Sequence, residues 1–249
     1  MEKSLKALIC ALNSQYVHSA LAPWYLVAAV ESCCDKGISA EVVEGNVNEE
    51  LEVIMQRILE REFQVLAFSC YIWNIRMVRE LLPRVKSERP DAVIILGGPE
   101  VSCGAGEILS EEPLVDYVIS GEGELPFALL LGAIARGESA EGIPGLSLRK
   151  GGKVCSAEPY VSDSDPPSPY SEEYFKRLGN RLAYLETSRG CPFSCAFCLS
   201  GCGKLRFFDL ERAKREILML AGSGARAVKL VDRTFNSNRK RAAELFAFV

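Results

Sequence analysis

The sequence predicts an α/β fold: a five-stranded flavodoxin-like, doubly wound domain followed by a second, smaller α/β domain. Three observations carry this. From residue 5 to about 139, short apolar or β-branched runs alternate with longer segments of helical period, the pattern of a parallel sheet covered on both faces. Glycine and small polar residues cluster at the ends of the apolar runs. A stretch rich in Pro, Ser and acidic residues then separates this half from another strand–helix–strand pattern.

The first candidate strand is LKALICALN from Leu5, followed by a helix over His18 to Lys36 that Gly37 stops. SAEVVEGNV from Ser39 is the second strand and Glu49 to Glu62 the second helix. VLAFSCYIWN from Val65 precedes a helix over Ile75 to Ser87, with Pro90 beyond its end. AVIILGGPEVS from Ala92 and DYVISGEGE from Asp116 complete the strands, with helices over Ala105 to Glu111 and Leu125 to Arg136. After Gly145, GLSLRKGGKVCS reads as a hairpin turning at Gly151-Gly152 and ending the first domain. The linker AEPYVSDSDPPSPYSEEY cannot hold regular structure through its prolines. LAYLETS (Leu182 to Ser188) is then a strand, Leu210 to Ala221 a helix, AVKLVD (Ala227 to Asp232) a strand, and a last helix starts near Arg239. This organises the chain as residues 1–142, a hairpin and linker over 143–181, and a second domain over 182–249.

The chain has 249 residues, 48% of them apolar, enough for a sizeable core and against a disordered or fibrous protein. With 29 Lys plus Arg against 33 Asp plus Glu, the formal charge is -4, and no nucleic-acid partner is expected. No apolar run reaches the length of a membrane helix, and MEKSLKALICALN reads as a first strand, not an export signal. No membrane association and a cytoplasmic location are expected.

In open α/β sheets ligands bind beyond the carboxyl ends of the strands, where the chain turns. Here those turns are Asn13-Ser14-Gln15-Tyr16, Ser69-Cys70-Tyr71, Gly97-Gly98-Pro99-Glu100 and Gly121-Glu122-Gly123-Glu124. Any one glycine pair can simply turn a strand into a helix, but four such loops at one edge point to a site. Neither G-x-G-x-x-G nor G-x-x-x-x-G-K-[ST] occurs, so a dinucleotide or nucleoside triphosphate is not indicated.

Of ten cysteines, Cys10, Cys33, Cys34, Cys70, Cys103 and Cys155 are scattered through elements, where a thiol is a small hydrophobe. Cys191, Cys195, Cys198 and Cys202 fall together in SRGCPFSCAFCLSGCGK. Zinc usually takes two separated pairs of ligands, and the one histidine, His18, lies in the other domain. Three thiolates suit an iron–sulfur cube with one iron left open; a fourth thiolate from Cys202, in a ferredoxin-like or zinc site, stays as an alternative.

The pattern C-x3-C-x-aromatic-C, with Phe197 as the aromatic, preceded by Arg-Gly and placed directly after a strand, resembles the radical S-adenosylmethionine superfamily. Together with the five-stranded first domain, the chain resembles the subgroup whose cobalamin-binding domain precedes the radical barrel. The resemblance covers the whole chain, making residues 1–142 a cobalamin-binding Rossmann-like domain and residues 182–249 the start of a partial (β/α) barrel. It implies that Cys191, Cys195 and Cys198 ligate a 4Fe-4S cluster whose open iron binds S-adenosylmethionine, with reductive cleavage giving a 5'-deoxyadenosyl radical and, in many members, methyl transfer from methylcobalamin. It implies that Phe197 flanks the adenine and Asp232 contacts S-adenosylmethionine. Asn13, Ser14, Tyr16, Ser69, Tyr71, Gly97, Gly98, Pro99, Gly121, Glu122 and Gly123 would then line the cobalamin site. A reductant such as flavodoxin or ferredoxin is the implied partner beside an unnamed substrate.

Three departures from the family pattern stand out. The Gly-Gly-Glu expected after the second barrel strand reads Val231-Asp232-Arg233-Thr234-Phe235-Asn236, and Asp232 can equally be a cap or a partner of Arg233 or Lys229. The lower-ligand motif D-x-H-x-x-G has Tyr16 for Asp and Leu21 for Gly around His18, so a corrinoid without a histidine lower ligand is expected. The chain stops within AAELFAFV after barely two barrel units, which reads as a truncation. Two other readings stay open: a corrinoid- or cluster-binding module without catalysis, and a radical enzyme whose first domain binds no cobalamin. No residue is singled out as a catalytic acid, base or nucleophile.

Overall fold

A computed structural model describes residues 4–198 and 204–249. The chain divides into two compact units, one of residues 1–16, 22–161 and 166–169, the other of residues 17–21, 162–165 and 170–249.

The first unit contains β1 (Leu5–Asn13), α1 (Ala22–Cys33), β2 (Ile38–Asn46), α2 (Leu51–Leu59), β3 (Val65–Ser69), α3 (Ile75–Glu88), β4 (Val93–Gly97), α4 (Pro99–Ser102), α5 (Ala105–Glu111), β5 (Tyr117–Ile119), α6 (Glu124–Arg136), β6 (Leu146–Lys150) and β7 (Lys153–Cys155). Its sheet runs β2-β1-β3-β4-β5-β6-β7. The first five strands are parallel, in the flavodoxin-like order, and β6 and β7 add antiparallel to β5. β1 shows why: Ala7 through Leu12 are all buried, as a strand covered by helices on both faces must be. One face packs Leu8, Cys10, Leu66, Phe68, Ile94 and Leu96 against Ile58, Leu81 and Val85 of α2 and α3. Cys10 and Cys70 belong to this core, and burial pushes both thiols up, Cys70 to about 12. The hairpin expected to end the first domain adds two strands to its sheet.

Several boundaries differ from the sequence expectation. Strand four ends at Gly97 because Gly98 adopts a positive φ of 104° and Pro99 starts a short helix where its missing N–H costs nothing, and strand three ends at Ser69, beyond which Asn74 closes a turn on the Tyr71 N–H. The first helix begins at Ala22, not His18; Pro23 is at home in a first helical turn. The supposed linker contains α7 (Glu172–Leu178), which starts once the prolines are past, with Ser171 Oγ accepting from the Tyr174 N–H at 3.2 Å.

The second unit holds α7, β8 (Leu182–Leu185), β9 (Ser188–Arg189), β10 (Arg206–Phe207), α8 (Leu210–Ala221), β11 (Ala227–Leu230) and α9 (Arg239–Phe248). β8 and β11 pair in parallel, joined by α8, which Asp209 caps. β9 pairs antiparallel with β10. The expected strand Leu182–Ser188 is therefore two strands that break at Glu186-Thr187. Residues 17–21 lie beside β8, with the Leu182 N–H donating to the Val17 carbonyl at 2.8 Å. Behind the β9–β10 pair, buried Phe208 is faced by the guanidinium groups of Arg189, Arg206 and Arg212 at 5.7, 5.9 and 5.0 Å.

Candidate functional site

Because β1, β3, β4 and β5 are parallel, their carboxyl ends bring the four predicted loops to one edge of the first unit. Each loop is held by its own hydrogen bonds. Asn13 Nδ2 donates to Glu44 at 3.0 Å, and the Asn48 carboxamide donates to the Ser14 carbonyl at 3.4 Å. After β3, the buried Asn74 side chain donates to the Leu12 and Ser69 carbonyls at 3.0 and 2.9 Å and accepts from the Tyr71 N–H at 2.8 Å. Trp73 Nε1 donates to the same Leu12 carbonyl at 3.1 Å, and its ring stacks on Tyr71 with centroids 4.4 Å apart. Asn74 thus ties the end of β1 to the end of β3, the point at which strand order reverses.

Around this anchor the edge is apolar and open. Tyr16 is 79% exposed, Ile72 78% and Trp73 45%. Exposed large side chains on firmly bonded loops mark a ligand surface better than a folding requirement does. The glycines have a different explanation. A Cβ at Gly98 would meet the Cys70 carbonyl oxygen at 2.5 Å, and one at Gly121 would meet the Tyr160 oxygen at 2.1 Å. There Glu122 N–H donates to Tyr160 at 2.8 Å, so these two glycines let loop pack against loop. Gly97, Pro99 and Gly123 stand at the same edge, Pro99 opening α4 and Gly123 preceding α6. A cavity of about 640 Å³ bounded by residues 141–146 and 155–161 includes none of the predicted strand-end residues.

In the second unit, Cys191, Cys195 and Cys198 lie on the loop that leaves β9, and β10 pairs with β9 on the far side of that loop. Cys195 and Cys198 are exposed and Cys191 partly so. The Cys198 N–H donates to the Cys195 carbonyl at 3.0 Å. The Cys191 sulfur lies 3.2 Å from Thr234 Oγ1; that hydrogen bond first, then the Phe193 N–H and the Arg233 charge, hold the thiol below its ordinary value. Phe197 is 92% exposed. Among the described residues, no three His, Cys, Asp or Glu side chains converge as a metal site, so the thiols share a loop without meeting at a point. Cys202 lies outside the described residues.

Asp232 sits after β11 and accepts from the Thr187 N–H at 3.0 Å, from Thr187 Oγ1 at 2.7 Å and from Ser188 Oγ. His18 belongs to the second unit: its Nδ1 hydrogen-bonds Tyr184 Oη, and its carbonyl accepts from Arg181 at 3.2 Å. Sequence reasoning passed over Asn74, Trp73, Thr187 and Thr234. Only Asn74 left a signal, a carboxamide after Tyr71-Ile72-Trp73 and just ahead of the helix expected from Ile75.

A doubly wound domain with an open loop edge, followed by a strand whose next loop carries three cysteines, defines an α/β protein with two candidate ligand sites, one in each unit. Residues 8–131 match the B12 binding domain family. The chain belongs to the cobalamin-binding-domain-containing radical S-adenosylmethionine superfamily. It is 34% identical over 186 residues to 2-(S-pantetheinyl)-carbapenam-3-carboxylate methyltransferase of Streptantibioticus cattleyicolor, covering 69% of this chain and 27% of that protein. It is 33% identical over 189 residues to the cobalamin-dependent radical SAM methyltransferase TokK of Streptomyces tokunonensis, covering 70% and 28%. The chain thus spans little more than a quarter of these relatives' length. The solved structure of the cobalamin-dependent S-adenosylmethionine radical enzyme OxsB superimposes with a TM-score of 0.77 at 17% identity, over 98% of this chain and 36% of that one, a likeness of fold.

Proposed function

We propose that the chain is the cofactor-binding part of a cobalamin-dependent radical S-adenosylmethionine enzyme, with methyl transfer as the leading reaction class. The observation that carries the reading is the union, in one polypeptide, of a B12 binding domain with a C-x3-C-x-x-C loop that follows a strand. When bound, the cofactors supply one electron from the cluster to cleave S-adenosylmethionine and a transferable methyl group from the corrinoid.

The residues present fit both groups by their chemistry. Three soft thiols lie within eight residues of an exposed loop, one of them held toward the thiolate that an iron ligand must be. Cys191, Cys195 and Cys198 would hold the cluster, with Cys202 as the alternative fourth thiol, and Phe197 would flank the adenine. The strand-end edge of the first unit offers a broad apolar surface of Tyr16, Ile72 and the Tyr71–Trp73 stack, bordered by backbone amides, suited to a flat macrocycle with amide arms. Asn13, Ser14, Ser69, Gly97, Gly98, Pro99, Gly121, Glu122 and Gly123 border the same surface. His18, which lacks the Asp and Gly of the D-x-H-x-x-G pattern, is not the lower ligand in this reading.

The test is anaerobic incubation of the reconstituted chain with S-adenosylmethionine and a reductant, dithionite or reduced flavodoxin. Formation of 5'-deoxyadenosine or S-adenosylhomocysteine supports the enzyme. Cofactor retention without either product supports the second reading, a binding module. One observation favours that second reading: every residue of β11, one of the two strands of the β8–β11 sheet, is exposed.

A further inference from the structure

We propose that Asp232 is a positioning residue for the cysteine loop, acting through Thr187 and Ser188, and not itself a contact to S-adenosylmethionine. The inference rests on the cluster reading of that loop. Thr187 and Ser188 are almost fully buried, and they immediately precede Arg189-Gly190-Cys191. Every polar group of Thr187 is engaged. Its N–H and hydroxyl donate to the two Asp232 oxygens, while its carbonyl accepts from the Phe208 N–H at 2.9 Å and from Arg241 at 3.3 Å. The Ser188 hydroxyl adds a third donor to Asp232.

Three donors from two consecutive residues leave the carboxylate little capacity for a ligand. They also fix the chain four residues before the first thiol. Phe208, on the returning side of the loop, donates its N–H to the carbonyl of the same Thr187, so the residue that Asp232 anchors also pairs with the chain that comes back. Two residues beyond Asp232, Thr234 reaches the Cys191 sulfur at 3.2 Å. The segment after β11 therefore meets the cysteine loop at its base and at its first ligand. Charge-assisted hydrogen bonds to buried donors are the strong kind, and a rigidly held support is what keeps metal ligands oriented.

The test compares wild type with D232N, which keeps the shape and removes the charge, and with S188A and T187V, which each delete one donor. Hydrogen exchange of the metal-free chain is read first, peptide by peptide. Amides of residues 187–198 are expected to exchange about tenfold faster in D232N, and by less in the other two, with β1 to β5 unchanged. After reconstitution with iron and sulfide, D232N is expected to lose iron to a chelator about tenfold faster. The electron paramagnetic resonance spectrum of its reduced cluster is expected to change before any S-adenosylmethionine is added. Unchanged exchange and iron retention, with only the S-adenosylmethionine-induced spectral shift lost, would overturn the proposal in favour of direct contact. Faster exchange with wild-type iron retention would overturn it too. Wild type that takes up no iron contradicts the cluster reading alone, since exchange in the metal-free chain still decides the anchor; S188A decides it if D232N does not fold.

Discussion

Gly98 carries a φ of 104° with the Cys70 backbone pressed against its α-carbon, so a side chain there meets both strain and a clash. G98A is expected to destabilise the chain by about 3 kcal/mol in guanidinium unfolding, whereas G142A, also at positive φ but facing open space, costs about 1 kcal/mol. Equal effects at the two positions would mean that the loop packing is misread. Glu49 sets a pH dependence. Burial acts to raise its carboxyl, but hydrogen bonds from Arg57 at 2.6 Å and from Asn46 outweigh this and hold it below the ordinary value. A carboxylate held low stabilises the folded state above its unfolded value, and that contribution is lost as pH falls through the folded one. E49Q is therefore expected to cost about 1 kcal/mol at neutral pH, with the gap to wild type closing in acid. A constant gap across the titration would contradict it.

At the scale of elements, continuous apolar runs were the legible part. β1 and α8 occupy Leu5–Asn13 and Leu210–Ala221 as the pattern of residues implies, because both faces of the strand and one stripe of the helix must be buried. What the sequence left unread depends on contacts between distant segments. Residues 17–21 look like the first turns of a helix, yet they pair beside β8, some 160 residues on, a choice set by tertiary hydrogen bonds and not by local propensity. α7 hid behind the prolines that precede it. At the candidate site the sequence showed three thiols closely spaced after a strand, but not the side chains that brace the loops, Asn74, Thr187 and Thr234, whose hydrogen bonds exist only after folding. His18 yields a further expectation: H18A leaves the absorption spectrum of a bound corrinoid unchanged, because Tyr16 and Leu21 replace the Asp and Gly that would orient a histidine lower ligand. A spectral shift in H18A would instead make His18 a corrinoid ligand.

For the whole molecule, the two units differ in how fully each buries its own core. The first has a seven-stranded sheet with its central strands covered, while in the second β11 exposes Val228 and Leu230 and α9 exposes Phe246. The chain spans 27% and 28% of the length of two curated relatives. The central claim is that one chain holds both a corrinoid and a cluster. It is met most directly by anaerobic reconstitution with iron, sulfide and hydroxocobalamin, followed by desalting, metal analysis and absorption spectra, beside a variant with Cys191, Cys195 and Cys198 all changed to Ala. The expected result is about four irons per chain, lost in the variant, with corrinoid co-eluting from both proteins. Zinc in place of iron, or iron retained by the variant, would contradict the cluster site, and iron without corrinoid would contradict the two-cofactor account.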